Sequence, residues 1–332
     1  MEDATALRAS TVAAEAGPAP ADDGAPVRVL YVMGHAFSGS TLLTLLLGCH
    51  AEVATVGELG VAEAVRQRTS PDRYLCSCRV PIRRCEFWAG VRQQMAARGR
   101  PFDPWDSDLD FRVPHGGVAD ALLRAAQRGP LLEACRRGGI LVVPGARRRL
   151  SHTLDRIATL ARVVTELRGA AVFLDASKRP ERAVFMHRDP RLNVRVLHLV
   201  RDGRAVVCST MRNRGWSAGV AATSWLQDNR RSELARRYFP ADRWTRIRHE
   251  DLCADVGGTL ARIHRFAGVT PCADIPRFRE KEQHVIGNRM RLDSLTEIRA
   301  DERWRTELDG GTRRLLERRT AWMNRRYGYP PD

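Results

Sequence analysis

The sequence predicts an α/β protein, with a central parallel β-sheet between two helical layers. Two observations predict it. Residues 27–48 read as a strand, a glycine loop and a buried helix in immediate succession. Further short apolar runs, near 52–56, 170–174, 194–200 and 244–248, are separated by helical stretches, and two of them end on a conspicuous cation, Lys178 or Arg201. Ligands in such folds bind beyond the carboxyl ends of the strands, so those ends are where function is expected.

The first strand is carried by Val27, Val29, Leu30 and Val32. The helix after it has leucine at 42, 43, 45, 46 and 47, apolar on nearly every side, which predicts burial all round. Between them lies Gly34-His35-Ala36-Phe37-Ser38-Gly39-Ser40-Thr41. Loop amides and a helix N-terminus present positive partial charge to an anion. The spacing fits the nucleotide-triphosphatase P-loop, G-x-x-x-x-G-K-[ST], except that Ser40 stands at the lysine position. That lysine grips the β- and γ-phosphates of a triphosphate. Its absence argues against a P-loop kinase or ATPase and for a smaller, less charged anion.

The strand expected over 52–56 runs into Gly57-Glu58-Leu59-Gly60, an exposed carboxylate on a permissive backbone. It is expected to neighbour the P-loop strand, which would bring Glu58 above the loop. Residues of about 61–169 read as a mostly helical insertion, with helical periodicity at 118–128 and 150–167 and turn-rich pieces at 101–114 and 138–145. The run at 170–174 ends in Asp175-Ala176-Ser177-Lys178, and Lys178 is one of only two lysines, the other being Lys281. The run at 194–200 leads directly into Arg201-Asp202-Gly203-Arg204 and, two turns into a helix, Ser209. Arg201 offers a planar fork for phosphate oxygens and Ser209 a hydroxyl. Glu250 and Asp251 follow the last strand and could be read either as catalytic carboxylates or as structural groups. A glycine-containing basic loop carries Asn288, Arg289 and Arg291, and residues 302–327 read as one amphipathic helix packed on the core.

The chain has 332 residues and a net charge of +16, and nearly all its basic residues are arginine. The arginines are scattered through helices, without interleaved aromatics, so no nucleic-acid partner is expected. No apolar run is long enough to cross a bilayer. Residues 1–26 are rich in Ala, Pro and Asp and lack the basic start and apolar block of a signal peptide. They are expected to be a disordered tail before a domain at 27–332, in a cytoplasmic protein. Of eight cysteines, Cys76, Cys78 and Cys85 cluster. Three thiols hold zinc only with a fourth ligand, and none lies nearby in sequence, so a local structural knuckle is the favoured reading.

These motifs together resemble the bacterial sulfotransferases that use 3′-phosphoadenosine 5′-phosphosulfate (PAPS). The family's 5′-phosphosulfate loop, [KR]-S-G-[ST]-[ST], is matched by Ser38, Gly39, Ser40 and Thr41, with Phe37 at the basic position. The resemblance implies that these residues and Leu42 hold the 5′ end, and that Arg201 and Ser209 bind the 3′-phosphate. It also implies that the loop at Asn288, Arg289 and Arg291 closes over the nucleotide. Glu58 falls where relatives keep a catalytic glutamate, with His35 as the second candidate base. Asp175, Ser177 and Lys178 resemble a D-x-S-K signature, and Lys178 would supply the cation that Phe37 does not. Cys76, Cys78, Cys85 and Trp88 resemble a segment of some bacterial members, where glycine usually stands at Arg79. The implied reaction is sulfuryl transfer from PAPS to an acceptor hydroxyl on a sugar, lipid, natural product or tyrosine. It releases adenosine 3′,5′-bisphosphate and calls for no metal. The implied fold is the P-loop-like sulfotransferase fold, with the 61–169 insertion on the acceptor side.

Overall fold

The computed structural model describes residues 24–331 apart from 62, 110, 112–144, 273–277, 279–280 and 294–297. The periodic segment at 118–128 and residues 1–23 of the expected tail lie outside the described residues, as do most of 138–145 and the end of 101–114.

Five strands form one sheet: β1 (Val27–Met33), β2 (Val53–Gly57), β3 (Val172–Lys178), β4 (Leu192–Val200) and β5 (Trp244–Arg248). Their order is β2-β3-β1-β4-β5, and every pairing is parallel. All five expected strands are present, within a few residues of the expected bounds. The expectation that β2 neighbours the P-loop strand is not met, because β3 lies between them. The reason is packing. Val172 to Ala176 of β3 are all buried, and Phe173, Leu174 and Asp175 pair with both β1 and β2, which suits an interior position, whereas the five-residue β2 takes the edge. That edge is in turn covered at Gly57, where Ile286 forms a parallel bridge.

β1 shows how the layers are built. Val29, Tyr31 and Met33 face one helical layer, and Leu30 and Val32 face the other. On the first side lie α3 (Glu86–Ala97), α4 (Ala146–Arg168) and α5 (Pro180–His187). The loop helix α1 (Ser40–Leu47) lies on the second, with α8 (His249–Ala254) and α9 (Val256–Ala267). Leu42, Leu43, Leu45, Leu46 and Leu47 are all buried, as a helix apolar on every side requires. A short helix, α2 (Glu63–Arg66), lies between β2 and α3 in sequence. No helix among the described residues is long and apolar enough to cross a membrane.

Beyond β4, α6 (Gly203–Arg214) and α7 (Ala218–Ala235) pack with the C-terminal segment. The single helix expected over 302–327 is two, α10 (Trp304–Glu307) and α11 (Gly310–Arg326). Asp309 divides them, because its carboxylate accepts from the Thr312 N–H at 2.9 Å and caps a new helix start.

Candidate active site

β1 is central, and β2 and β3 lie to one side of it with β4 and β5 on the other. A crevice therefore opens at its carboxyl end, where the strand connections diverge. The glycine loop fills that position. Its neighbours are the ends of β3 and β4, and these carry Lys178 and Arg201.

The loop needs its glycine. Gly39 has φ +90°, and a Cβ there would meet Nδ1 of His249 at 2.3 Å. The next residues, Ser40, Thr41 and Leu42, open α1, so their N–H groups have no partner within the helix. Ser38 is buried, with its N–H on the His35 carbonyl at 3.4 Å. Arg201 reaches across from β4 and donates to the Phe37 carbonyl at 2.9 Å and the Asp301 carbonyl at 3.2 Å. The strand-end cation and the loop are thus one unit. Asp301 sits 4.0 Å from the guanidinium, and its acidity is strengthened first by its hydrogen bond to Arg303. His249, behind Gly39, is pushed down to about 3, by burial first and then by Arg201, so it stays neutral. Ser209 is buried on α6, the helix that follows Arg201.

Glu58 and Lys178 meet directly, with Nζ donating to Oε1 at 2.6 Å. They do so because β2 and β3 are neighbours, with Glu58 just after β2 and Lys178 at the end of β3. The Asp175-Ala176-Ser177-Lys178 segment explains how. Asp175 is fully buried, and its Oδ1 accepts from the Ser177 N–H at 2.8 Å. Ser177 Oγ in turn accepts from the Leu59 N–H at 3.1 Å, fastening the turn that carries Glu58. Burial raises the pKa of Asp175, making it a weaker acid, and Arg182 opposes that shift. Lys178 itself has φ +68°, a left-handed conformation at a strand end. On the other side, the Glu58 N–H donates to the Ile286 carbonyl at 3.2 Å. Gly57 makes this approach possible, since a Cβ there would lie 2.4 Å from the Ile286 oxygen.

The basic loop sorts its own residues. Asn288 caps the turn 289–292 by accepting from the Met290 N–H at 3.0 Å. Arg291 turns inward, donating to the carbonyls of Gly287 and Leu75, each at 2.7 Å, and lying over the Tyr74 ring. Arg289 is exposed. The turn packs against α1, the helix that opens at the glycine loop.

His35 is buried and faces α7. Its Nδ1 lies 2.6 Å from the Ala36 carbonyl, and its Nε2 lies 3.2 Å from Ser224 Oγ and 3.7 Å from Asp228. Burial lowers its basicity, opposed by Asp228. Glu250 has a structural setting: it accepts from the Asp202 N–H at 3.2 Å and from the Tyr329 hydroxyl.

A family model described as "Sulfotransferase family" matches residues 181–274, the segment that contains Arg201, Ser209 and Glu250. The sulfotransferase domain of the Synechococcus PCC 7002 olefin synthase superposes with a TM-score of 0.53 at 17% identity, covering 93% of this chain and 98% of that one. The fold is that of a sulfotransferase domain. The sulfotransferase domain of the curacin biosynthetic pathway is 14% identical with a TM-score of 0.47, covering 92% and 99% of the two chains. A sulfotransferase from Mycobacterium avium is 14% identical with a TM-score of 0.45, covering 93% and 79%. No curated protein sequence matches the chain.

Within this fold, Phe37 has φ +64°, and the Arg214 guanidinium lies 5.3 Å from its ring centroid. Arg214 thus brings a cation to the loop position that lacks one. It stands at the end of α6, far from the loop in sequence, and only its stacking on Phe37 reveals it.

Proposed function

We propose that the protein is a PAPS-dependent sulfotransferase that passes the sulfuryl group to an acceptor hydroxyl and releases adenosine 3′,5′-bisphosphate. The observation that carries this reading is the bond from Arg201 to the Phe37 carbonyl, which joins a phosphate-type cation to the anion loop. A nucleotide with groups at both 3′ and 5′ positions would be gripped by the two ends of that unit. The family match over 181–274 and the sulfotransferase-domain fold support it.

In this reading the first-turn amides of α1 hold the 5′-phosphosulfate, and Arg201 with Ser209 holds the 3′-phosphate. Arg289 closes from the 289–292 turn, and Arg291 keeps that turn in shape. Lys178 and Glu58 divide the chemistry. The ammonium stabilises charge developing on the sulfuryl and bridging oxygens, and the carboxylate accepts the acceptor's proton. Their contact before substrate binds keeps both groups at the carboxyl edge of the sheet. The transfer is an in-line displacement in which positioning and charge stabilisation supply the rate, by the logic of phosphoryl transfer. The helices of the 61–169 region form the acceptor side.

A thermal-shift comparison tests the reading. Adenosine 3′,5′-bisphosphate should stabilise the chain, whereas ATP with Mg²⁺, or an oligonucleotide, should not. Stabilisation by ATP with Mg²⁺ alone would point to a kinase instead. Turnover of labelled PAPS against a panel of hydroxyl acceptors then identifies the acceptor class.

A further inference from the structure

The expected local knuckle at Cys76, Cys78 and Cys85 has a fourth member in space. His284 joins it from 199 residues beyond Cys85. The Sγ atoms of the three cysteines and a ring nitrogen of His284 all lie within 4.8 Å of one another. His284 Nδ1 is 3.3 Å from Cys85 Sγ and 3.9 Å from Cys76 Sγ. The sulfurs of Cys78 and Cys85 are 3.7 Å apart.

We infer that these four side chains hold a structural zinc ion. Zinc bonds of about 2.3 Å to sulfur and about 2.0–2.1 Å to nitrogen, in a tetrahedron, place sulfurs about 3.8 Å apart and sulfur about 3.6 Å from nitrogen. The sulfur–nitrogen separations of 3.3 and 3.9 Å bracket the expected value, and the sulfur–sulfur separation of 3.7 Å is close to it. The donor set is Cys₃His, a composition of closed structural zinc sites. Soft thiolates exclude magnesium and calcium as the occupant. A disulfide is a poorer account, since a sulfur–sulfur bond is about 2.05 Å and would leave the third thiol and the imidazole unused.

The surroundings are built to hold the ligands. Cys76 and Cys85 are buried. The His284 ring stacks on Phe87 at 4.6 Å between centroids and 4° between planes. Its other nitrogen, Nε2, lies 3.6 Å from the Glu282 carboxylate, the kind of outer partner that orients a metal-bound imidazole. The Cys76 carbonyl accepts from the Arg79 N–H at 2.9 Å, closing a tight turn in which Arg79 takes φ +65°. That positive φ accounts for the glycine of related sequences at this position.

The ion fastens two distant segments at the edge of the candidate active site. Ser77 already links them, donating to the Gln283 carbonyl and accepting from the Val285 N–H. Two residues beyond His284, Ile286 completes the edge of β2 and bonds the Glu58 backbone. The zinc therefore holds the strand extension that carries Asn288, Arg289 and Arg291. It does so whatever reaction the site performs.

Elemental analysis of the full chain, expressed with zinc in the medium, should find one zinc per chain. Cobalt substitution should give the visible bands of a tetrahedral thiolate site. Cys85→Ser and His284→Gln should each lose the metal, and Cys272→Ser, at an exposed cysteine, should keep it. If the ligand variants fail to fold, the native chain still decides the matter. Titration with a mercurial should then release the zinc in step with thiol modification and lower the melting temperature. Zinc near background in the native chain, or iron or copper in its place, would overturn the assignment. So would zinc retained in folded Cys85→Ser and His284→Gln.

Discussion

Replacing Arg201 with alanine removes two contacts that ligand affinities can separate. Arg201 is 7% exposed, and its guanidinium bonds the Phe37 carbonyl at 2.9 Å. Losing a charge-assisted contact to a 3′-phosphate should cost about 2–3 kcal/mol, or roughly 30–150-fold in Kd. Releasing the Phe37 carbonyl loosens the anion loop and should cost about 1 kcal/mol more for any ligand held there. 5′-AMP, which has no 3′-phosphate, should therefore weaken about fivefold, and adenosine 3′,5′-bisphosphate by about 10²–10³. Arg201→Lys should fall between, because it keeps the charge and loses the fork. Isothermal titration calorimetry of both nucleotides on all three proteins, with circular dichroism to confirm folding, measures this directly. An equal loss for the two nucleotides would show that Arg201 serves only the loop and would sink the 3′ assignment.

Two further outcomes follow from paired and buried groups. Glu58→Gln and Lys178→Ala should each lower kcat by about 10²–10⁴ and leave bisphosphate affinity unchanged, and the double variant should fall no more than about tenfold below the weaker single. Fully multiplicative losses would refute joint action of this 2.6 Å pair. His198 and His249 are buried, and burial holds them at about 4 and about 3, against an ordinary 6.5. The unfolded chain therefore binds more protons between those values, so stability is present above about pH 6.5 and lost as pH falls toward about 4, by up to about 1.4 kcal/mol per pH unit for each imidazole. Urea unfolding across that range should show the slope and His198→Phe should reduce it, whereas a flat profile in the parent chain would contradict the burial argument.

Much of the candidate site was legible because its residues sit at strand ends. A buried apolar run stopping at a lone lysine or an arginine is a local signal, and Lys178 and Arg201 do flank the loop. Sheet order was not legible, since adjacency is a matter of packing: nothing local says that β3 separates β2 from β1. The choice between Arg289 and Arg291 depends on Tyr74 and the Leu75 carbonyl, which the spacing of the basic loop does not reveal. His284 was hidden for the same reason. Its partnership with Cys76, Cys78 and Cys85 exists only because Ser77 and Val285 bring two remote segments side by side. Within the Asp175–Lys178 signature the lysine could be singled out as a rare residue. The hydrogen bonds by which Asp175 and Ser177 shape the Glu58 turn required coordinates.

The contact between Cys76 and His284 spans 208 positions of the chain. During synthesis the anion loop, Lys178 and Arg201 all emerge before residue 284 exists. Until then β2 has a bare outer edge, and Glu58 lacks the carbonyl that holds its backbone. Loop closure over such a span is entropically costly and comes late unless local contacts reward it first. A nascent chain released early would thus carry Lys178 and Arg201 on an unfinished sheet, with an exposed strand edge open to pairing with other chains. Completion of this end of the sheet therefore waits, by chain topology, on synthesis through Ile286.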